Sequence, residues 1–259
     1  MTSLSTRPAP VSVRCTVRRW VPQQHGAWAM LLVPFVAGAF LGGWTGWHVL
    51  LLLAWVLAYS TAFHMQSYVR LRRLARNPRI AGRHVTPALG FGAVFTVAAL
   101  TLATVRPWLV LAALGMLPFF AINLGYAYRN NERAVSNDFA ALVPACGMLL
   151  VSYRLGAGAL DPAAWRAALS CLLYFAGSVL YVKTMIRERH SGGYRVASGG
   201  YHGAALLVAA LLDPWLALPF ACYLGRAVVL PGHNLKIHVI GAIEVLNSAV
   251  LLLALVLLF

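Results

Sequence analysis

The sequence predicts an all-α polytopic membrane protein, and three features carry that prediction. Of its 259 residues, 61% are hydrophobic and only 10% are charged, where a soluble domain carries about 25% charged residues. The apolar residues are spread along the whole chain in runs that suit helices, and a helix crossing the hydrocarbon needs about 20 of them. The third feature is where the charge falls. The 21 Lys and Arg against 6 Asp and Glu give a net charge of +15, and the basic residues cluster between the apolar runs. They therefore read as topology determinants and contacts to anionic headgroups, and nucleic acid is a poor fit as a partner.

Nine spans are predicted, at roughly 25–43, 47–68, 88–105, 107–127, 138–156, 163–183, 199–212, 214–230 and 238–258. Residues 1–24 are polar and basic, with Arg7, Arg14, Arg18 and Arg19 and no cleavage site after a short apolar core. They predict an uncleaved, disordered cytoplasmic tail ahead of a single transmembrane domain over 25–259. The first span opens on Gln24-His25-Gly26-Ala27-Trp28, where Gly26 permits close backbone approach. The second ends in His64, Gln66, Tyr68 and Arg70, followed by an Arg-rich loop turned at Asn77-Pro78 and Gly82. Arg106-Pro107 divides the third span from the fourth, which carries Asn123. The fifth opens on Asn137-Asp138, and Asp138 suits an orphan amide and the positive dipole end of the first turn.

The sixth span runs into Tyr181–Arg195, which packs Lys183, Arg187, Glu188, Arg189 and His190 into a helix end before a Gly192-Gly193 break. Asp213-Pro214 divides one apolar stretch into the seventh and eighth spans, so eight spans is the rival count. The ninth holds Glu244 deep in the helix, with Asn247 at i+3 on the same face. Counted alternately, one side collects the tail, the six Arg of 69–86, Arg129, Arg133, Arg187, Arg189, Arg195 and Lys236. The other collects Arg106, Arg154 and Arg166 with Asp161 and Asp213. That asymmetry predicts a cytoplasmic N-terminus. Cys15, Cys146, Cys171 and Cys222 show no paired spacing and predict free thiols.

Ionisable groups inside membrane helices need a partner or a task. Lys183 and Arg187 are four apart and project to one side of their helix. They read either as a cationic clamp for phosphate or carboxylate or as an anchor that snorkels to the headgroups. Glu188, facing elsewhere, is expected to pair with a basic residue of another helix. In the first half, Arg83 between Gly82 and His84 is the arginine expected to face a chamber shared with His64. The catalytic candidates are His64, Lys183 and Arg187. The binding candidates are His25, Gln66, Arg83, Asn123, Glu188, Arg195 and His202. His25, His64, His202 and His238 are expected near one level of the bilayer, but no pair has the i, i+4 spacing of a helical metal site, so no metal or cofactor is assigned.

The opening QHGAW at Gln24–Trp28 and the following LLVPFVAG at Leu31–Gly38 resemble the YwiC-like family of bacterial membrane proteins, which implies a bacterial plasma membrane location. A more distant resemblance is to UbiA-type intramembrane prenyltransferases. Asn77–Arg83 is similar to the basic loop after their first Asp-rich motif, and Tyr181-Val182-Lys183 stands where their second would be. That resemblance implies a UbiA-like bundle of nine helices with a cytoplasmic-side chamber. The Asp residues themselves are replaced by Phe63, His64, Gln66 and Tyr68, and by Thr184, Arg187 and Glu188. A magnesium–diphosphate site needs several hard oxygen ligands, so the chamber would hold an anionic head directly by Arg, Lys and His. The partner expected is a membrane lipid or an isoprenoid- or quinone-like amphiphile, bound or modified. The alternative is a transporter or an accessory subunit of a respiratory system.

Overall fold

The computed structural model describes residues 20, 22, 25–75 and 77–259. From His25 on, the described residues form ten α-helices in order: α1 (His25–Leu41), α2 (Trp47–Leu74), the short α3 (Pro78–Gly82), α4 (Val85–Val105), α5 (Trp108–Tyr128), α6 (Val135–Ala157), α7 (Pro162–Ile186), α8 (Gly192–Leu212), α9 (Ala217–Val229) and α10 (Ile237–Leu258). A 3-10 turn at Pro214–Leu216 leads into α9. Each of the nine predicted spans overlaps one helix of the bundle. Among the described residues, seven helices are long and apolar enough to cross a membrane, whereas α1 and α9 are shorter apolar helices. At 13 residues, α9 is only about 20 Å long, because its first turn tightens into the 3-10 segment behind Pro214. Apart from Trp20 and Pro22, the predicted tail lies outside the described residues.

The outer surface is that of a protein solvated by lipid. Leu111 is 72% exposed and Leu211 86% exposed, and such side chains line α4, α5 and α8. Water would penalise so much uncovered hydrocarbon.

Helix ends differ from the predicted spans where local hydrogen bonding overrides hydropathy. α2 runs to Leu74, past the predicted end at 68, because its arginines are good helix formers and nothing breaks the turn before Ala75. α8 starts at Gly192, so the expected Gly-Gly break is the first turn of a helix. Ser191 caps it by accepting from the Tyr194 amide, which satisfies a donor the helix cannot. Asp161 does the same for α7, accepting from Ala164 at 2.9 Å. Asp138 is not the cap of α6, which Ala134 precedes without a side-chain bond.

The centre of the bundle is the seam between α1 and α6. Gly38 on α1 and Gly42 just past its end stand four apart, facing Ser152 and Gly156 four apart on α6. A Cβ at Gly38 would overlap the Leu149 carbonyl oxygen, one at Gly42 the Tyr153 carbonyl oxygen, and one at Gly156 the Gly43 carbonyl oxygen. Small residues at this spacing let two helix backbones meet where lipid supplies no hydrophobic drive for association. Ser152 Oγ donates to the Phe35 carbonyl at 2.8 Å across the seam. His48 fastens it to α2: the Thr45 amide donates to its Nδ1, and its Nε2 donates to the Ser152 carbonyl, both at 2.9 Å.

Two wings flank this seam. α2, α4 and α5 form one, around Leu51, Ala54, Ala98, Leu102 and Leu109. α7, α8, α9 and α10 form the other, around Cys171, Tyr174, Phe175, Phe220, Tyr223 and Leu251. α1 and α6 lie between α2 and α7 and pack against both.

Gly38→Val is expected to cost at least about 1–3 kcal/mol by overpacking, seen as a lowered unfolding midpoint in detergent, whereas Gly46→Ala, with open space around it, leaves the midpoint nearly unchanged. A second expectation concerns pH. The Tyr153 hydroxyl and the Ala164 amide hold the Asp161 carboxyl below the usual carboxylate range. A depressed value means that its stabilising contribution is complete above the unfolded value of about 4 and fades as the pH falls through the folded one. Asp161→Asn should therefore flatten the acid side of a midpoint-versus-pH curve.

Candidate functional site

One end of the bundle carries most of the charge, and its segments are tied together by polar contacts. Arg70 of α2 forms an ion pair with Glu132 in the α5–α6 turn, and Arg73 donates to the Tyr128 carbonyl at 2.7 Å. Lys183 near the end of α7 donates to the Arg133 carbonyl at 2.6 Å and pairs with Asp138 of α6 at 2.7 Å. Arg189 donates from Nη1 to Asn234 Oδ1 at 3.2 Å, joining the α7–α8 turn to the α9–α10 turn. The opposite end holds Arg106, Arg154 and Arg166, with Arg154 lying over the Trp108 ring.

The predicted site residues divide between the wings. His64 is fully buried in α2, with Nε2 donating to the Trp20 carbonyl at 3.0 Å and Nδ1 at 2.9 Å from His84 Nδ1. A carbonyl only accepts, so a neutral His64 carries its proton on Nε2 and accepts at Nδ1 from His84. Its ring stacks on Phe91. Gln66 is half-buried two residues on. Arg83 is exposed at the α3–α4 junction beside His84. Asn123 is buried in α5 and donates to the Phe119 carbonyl of its own helix at 2.7 Å. The side chain of His25 lies outside the described residues.

In the other wing, Lys183 is buried and committed to Asp138. Asp138, expected as a capping group, is instead the partner of this lysine, with Arg187 one turn further on adding a second positive charge nearby. Arg187 is exposed at the C-cap of α7. Glu188 makes no ion pair among the described residues. Arg195 donates from Nη2 to the Arg189 carbonyl at 2.9 Å. His202 is buried in α8, its Nδ1 donating to the Ser198 carbonyl at 2.7 Å while its ring lies against Gly177 of α7. The four histidines expected at one level do not form a set: His64 is beside His84, His202 lies in the other wing, and His238 is exposed. Among the described residues, no group of three or more His, Cys, Asp or Glu could hold a metal ion.

One ion pair is buried at both of its members, and only Glu244 of the two is singled out by the sequence. Arg226 of α9 and Glu244 of α10 form an ion pair at 7% and 8% exposure. The guanidinium lies over the rings of Tyr181, Tyr174 and Tyr223, at 4.6, 5.5 and 5.5 Å from their centres. The Ser178 hydroxyl donates to the other Glu244 oxygen, and the Tyr174 hydroxyl donates to the Glu244 carbonyl at 3.2 Å. Tyr174, Gly177, Ser178 and Tyr181 recur at three- and four-residue spacing, so one face of α7 supplies this polar layer. That periodicity was the available signal. What hid it is that its partners lie more than 40 residues away in sequence.

Seven long apolar helices, a lipid-facing surface, one charged end and an ion pair inside one wing define a multi-pass helical membrane protein. The family model described as YwiC-like protein matches residues 21–153, which contain α1, the first wing and most of α6. The chain is 33% identical over 229 residues to the uncharacterized protein YwiC of Bacillus subtilis, covering 88% of this chain and 93% of the relative. It is 31% identical over 232 residues to an uncharacterized protein of Haemophilus influenzae, covering 89% and 94%. The protein belongs to the YwiC-like family. No solved structure matches it.

The Lys183–Asp138 pair is testable by a double-mutant cycle. Lys183→Met leaves Asp138 without its partner, and Asp138→Asn leaves a buried ammonium; each should lower the unfolding midpoint, by up to about 3–5 kcal/mol for a buried pair. The double substitution should cost clearly less than the sum, measured by detergent thermal unfolding.

Proposed function

We propose that this protein binds the anionic or polar head of an isoprenoid- or quinone-like membrane amphiphile at the charged end of the bundle, on the cytoplasmic side. One observation supports this reading above the others. Arg189 and Arg195 are held in place by neutral oxygens: Met185 carbonyl and Asn234 amide for Arg189, and the Arg189 carbonyl for Arg195. Neither pairs with a carboxylate among the described residues. Two guanidinium groups are thus positioned without being neutralised, which favours an incoming anion and keeps their bidentate donors available. Arg187 and His190, exposed on the same turn, extend the positive surface.

The cytoplasmic assignment is supported by the charge asymmetry between the two ends, since basic loops stay on the inner side. A UbiA-like arrangement belongs to the same proposal, supported by the order of seven long and two shorter apolar helices and by the two polar stretches, at His64 and Lys183, toward one end of the bundle. Lys183 in this reading sets the position of the 129–134 turn beneath the head, and Arg187 contacts it.

Lipid mass spectrometry of the purified protein tests this. An isoprenoid or quinone-like lipid should co-purify, and its amount should fall several-fold in Arg189→Gln/Arg195→Gln and in Lys183→Ala/Arg187→Ala. Bulk phospholipid alone, unchanged by either pair of substitutions, would refute the proposal.

A further inference from the structure

The Arg226–Glu244 pair uses none of the residues of the charged end, and its surroundings call for a separate account. It is sealed on one side by Tyr181, Met185, Ala227 and Ile240 and on the other by the core around Tyr174, Phe220, Tyr223 and Leu251. A planar guanidinium has five N–H donors, and only Nη1 meets the carboxylate. Nε and Nη2 meet no acceptor of their own, with the Tyr174 hydroxyl close to the guanidinium, and His202 Nε2 and the Tyr181 hydroxyl also lack a hydrogen-bond partner, although all are buried. Such unpaired groups are costly inside a bundle. A purely structural ion pair needs none of them.

We propose that Arg226 is the binding site for a small carboxylate, that Glu244 occupies it here as an internal ligand, and that a proton on Glu244 hands the site to the incoming anion. The rings of Tyr174, Tyr181 and Tyr223 cover the guanidinium, leaving its edge, which a planar carboxylate matches with two parallel hydrogen bonds. The charge balance sets the coupling. Arg226 and Glu244 together are neutral. Protonating Glu244 alone would leave a buried, unpaired cation, the condition that makes breaking one half of a buried pair so unfavourable. Binding of one proton and one carboxylate together restores neutrality, so the two enter and leave as a unit with no net charge moved. The titratable groups around the pair are Tyr174 and Tyr181 from α7, His202 from α8 and Tyr223 from α9, all beside Arg226, with Tyr174 also bonded to the Glu244 carbonyl. α1, which also packs on α10, meets this core with the aliphatic Val33 and Ala37. Lys183, next along α7, is already committed to Asp138.

Sodium formate is the probe, with sodium chloride at equal ionic strength as the reference. Glu244→Gln imitates the protonated acid, so near neutral pH formate should raise its unfolding midpoint in detergent by several degrees more than chloride. Wild type should show that shift only in mildly acidic buffer, and Arg226→Gln/Glu244→Gln should not show it at all. No formate-specific shift in Glu244→Gln, or the same shift in the double variant, overturns the proposal. If Glu244→Gln does not fold, a pH indicator in weakly buffered wild-type protein decides instead. In mildly acidic solution, formate should draw about one proton per chain, and the absence of proton uptake there overturns the proposal equally.

Discussion

The rest of the bundle depends on how closely α1 and α6 approach. In a membrane, two helices gain nothing from hiding apolar surface from lipid, so association rests on van der Waals contact and interhelical hydrogen bonds. Gly38 and Gly42 against Ser152 and Gly156 bring one backbone onto the other, and the Ser152–Phe35 and His48–Ser152 bonds hold them there. Both wings hang from this seam. α2 reaches it through His48, and α7 reaches it through its packing on α1 and α6.

The two wings have different interiors. In the first, His64 is engaged at both ring nitrogens and Asn123 returns to its own helix, and no charge is buried among its core residues. The second places a full ion pair among three tyrosines, with several donors and acceptors left over. Lipid-embedded charge is retained where it has a task, and this contrast directs attention to α7–α10 for chemistry. The charged end is a third environment, in which the turns are bound to one another through Glu132, Arg133, Asp138 and Asn234 and the arginines of the α7–α8 turn are presented outward.

Several features were legible in the chain because they depend on local chemistry alone. Apolar run length marked the seven long helices and the two shorter ones, and Asp213-Pro214 marked the division between α8 and α9 with its capping carboxylate. Gly192-Gly193 was misleading because a glycine pair reads as a break until the cap before it is seen. Asp138 was misleading because a carboxylate in a first turn suits capping and ion pairing equally, and only the position of Lys183 decides between them. The site was legible as residue types and not as a constellation. His64 and Lys183 do sit at the charged end, yet α1 and α6 lie between their helices.

By itself, the sequence determined that the protein is helical, that its surface faces lipid, and which end of each helix is polar, since hydropathy and charge along one chain are enough to settle these. Only the tertiary structure decided which buried charges are partners. Arg226 with Glu244 and Lys183 with Asp138 join different helices, Arg70 with Glu132 joins a helix to a turn, and helix rotation and packing set those pairings, not spacing along the chain. The physical reason is distance in sequence: a carboxylate 18, 45 or 62 residues from its cation leaves no periodic trace.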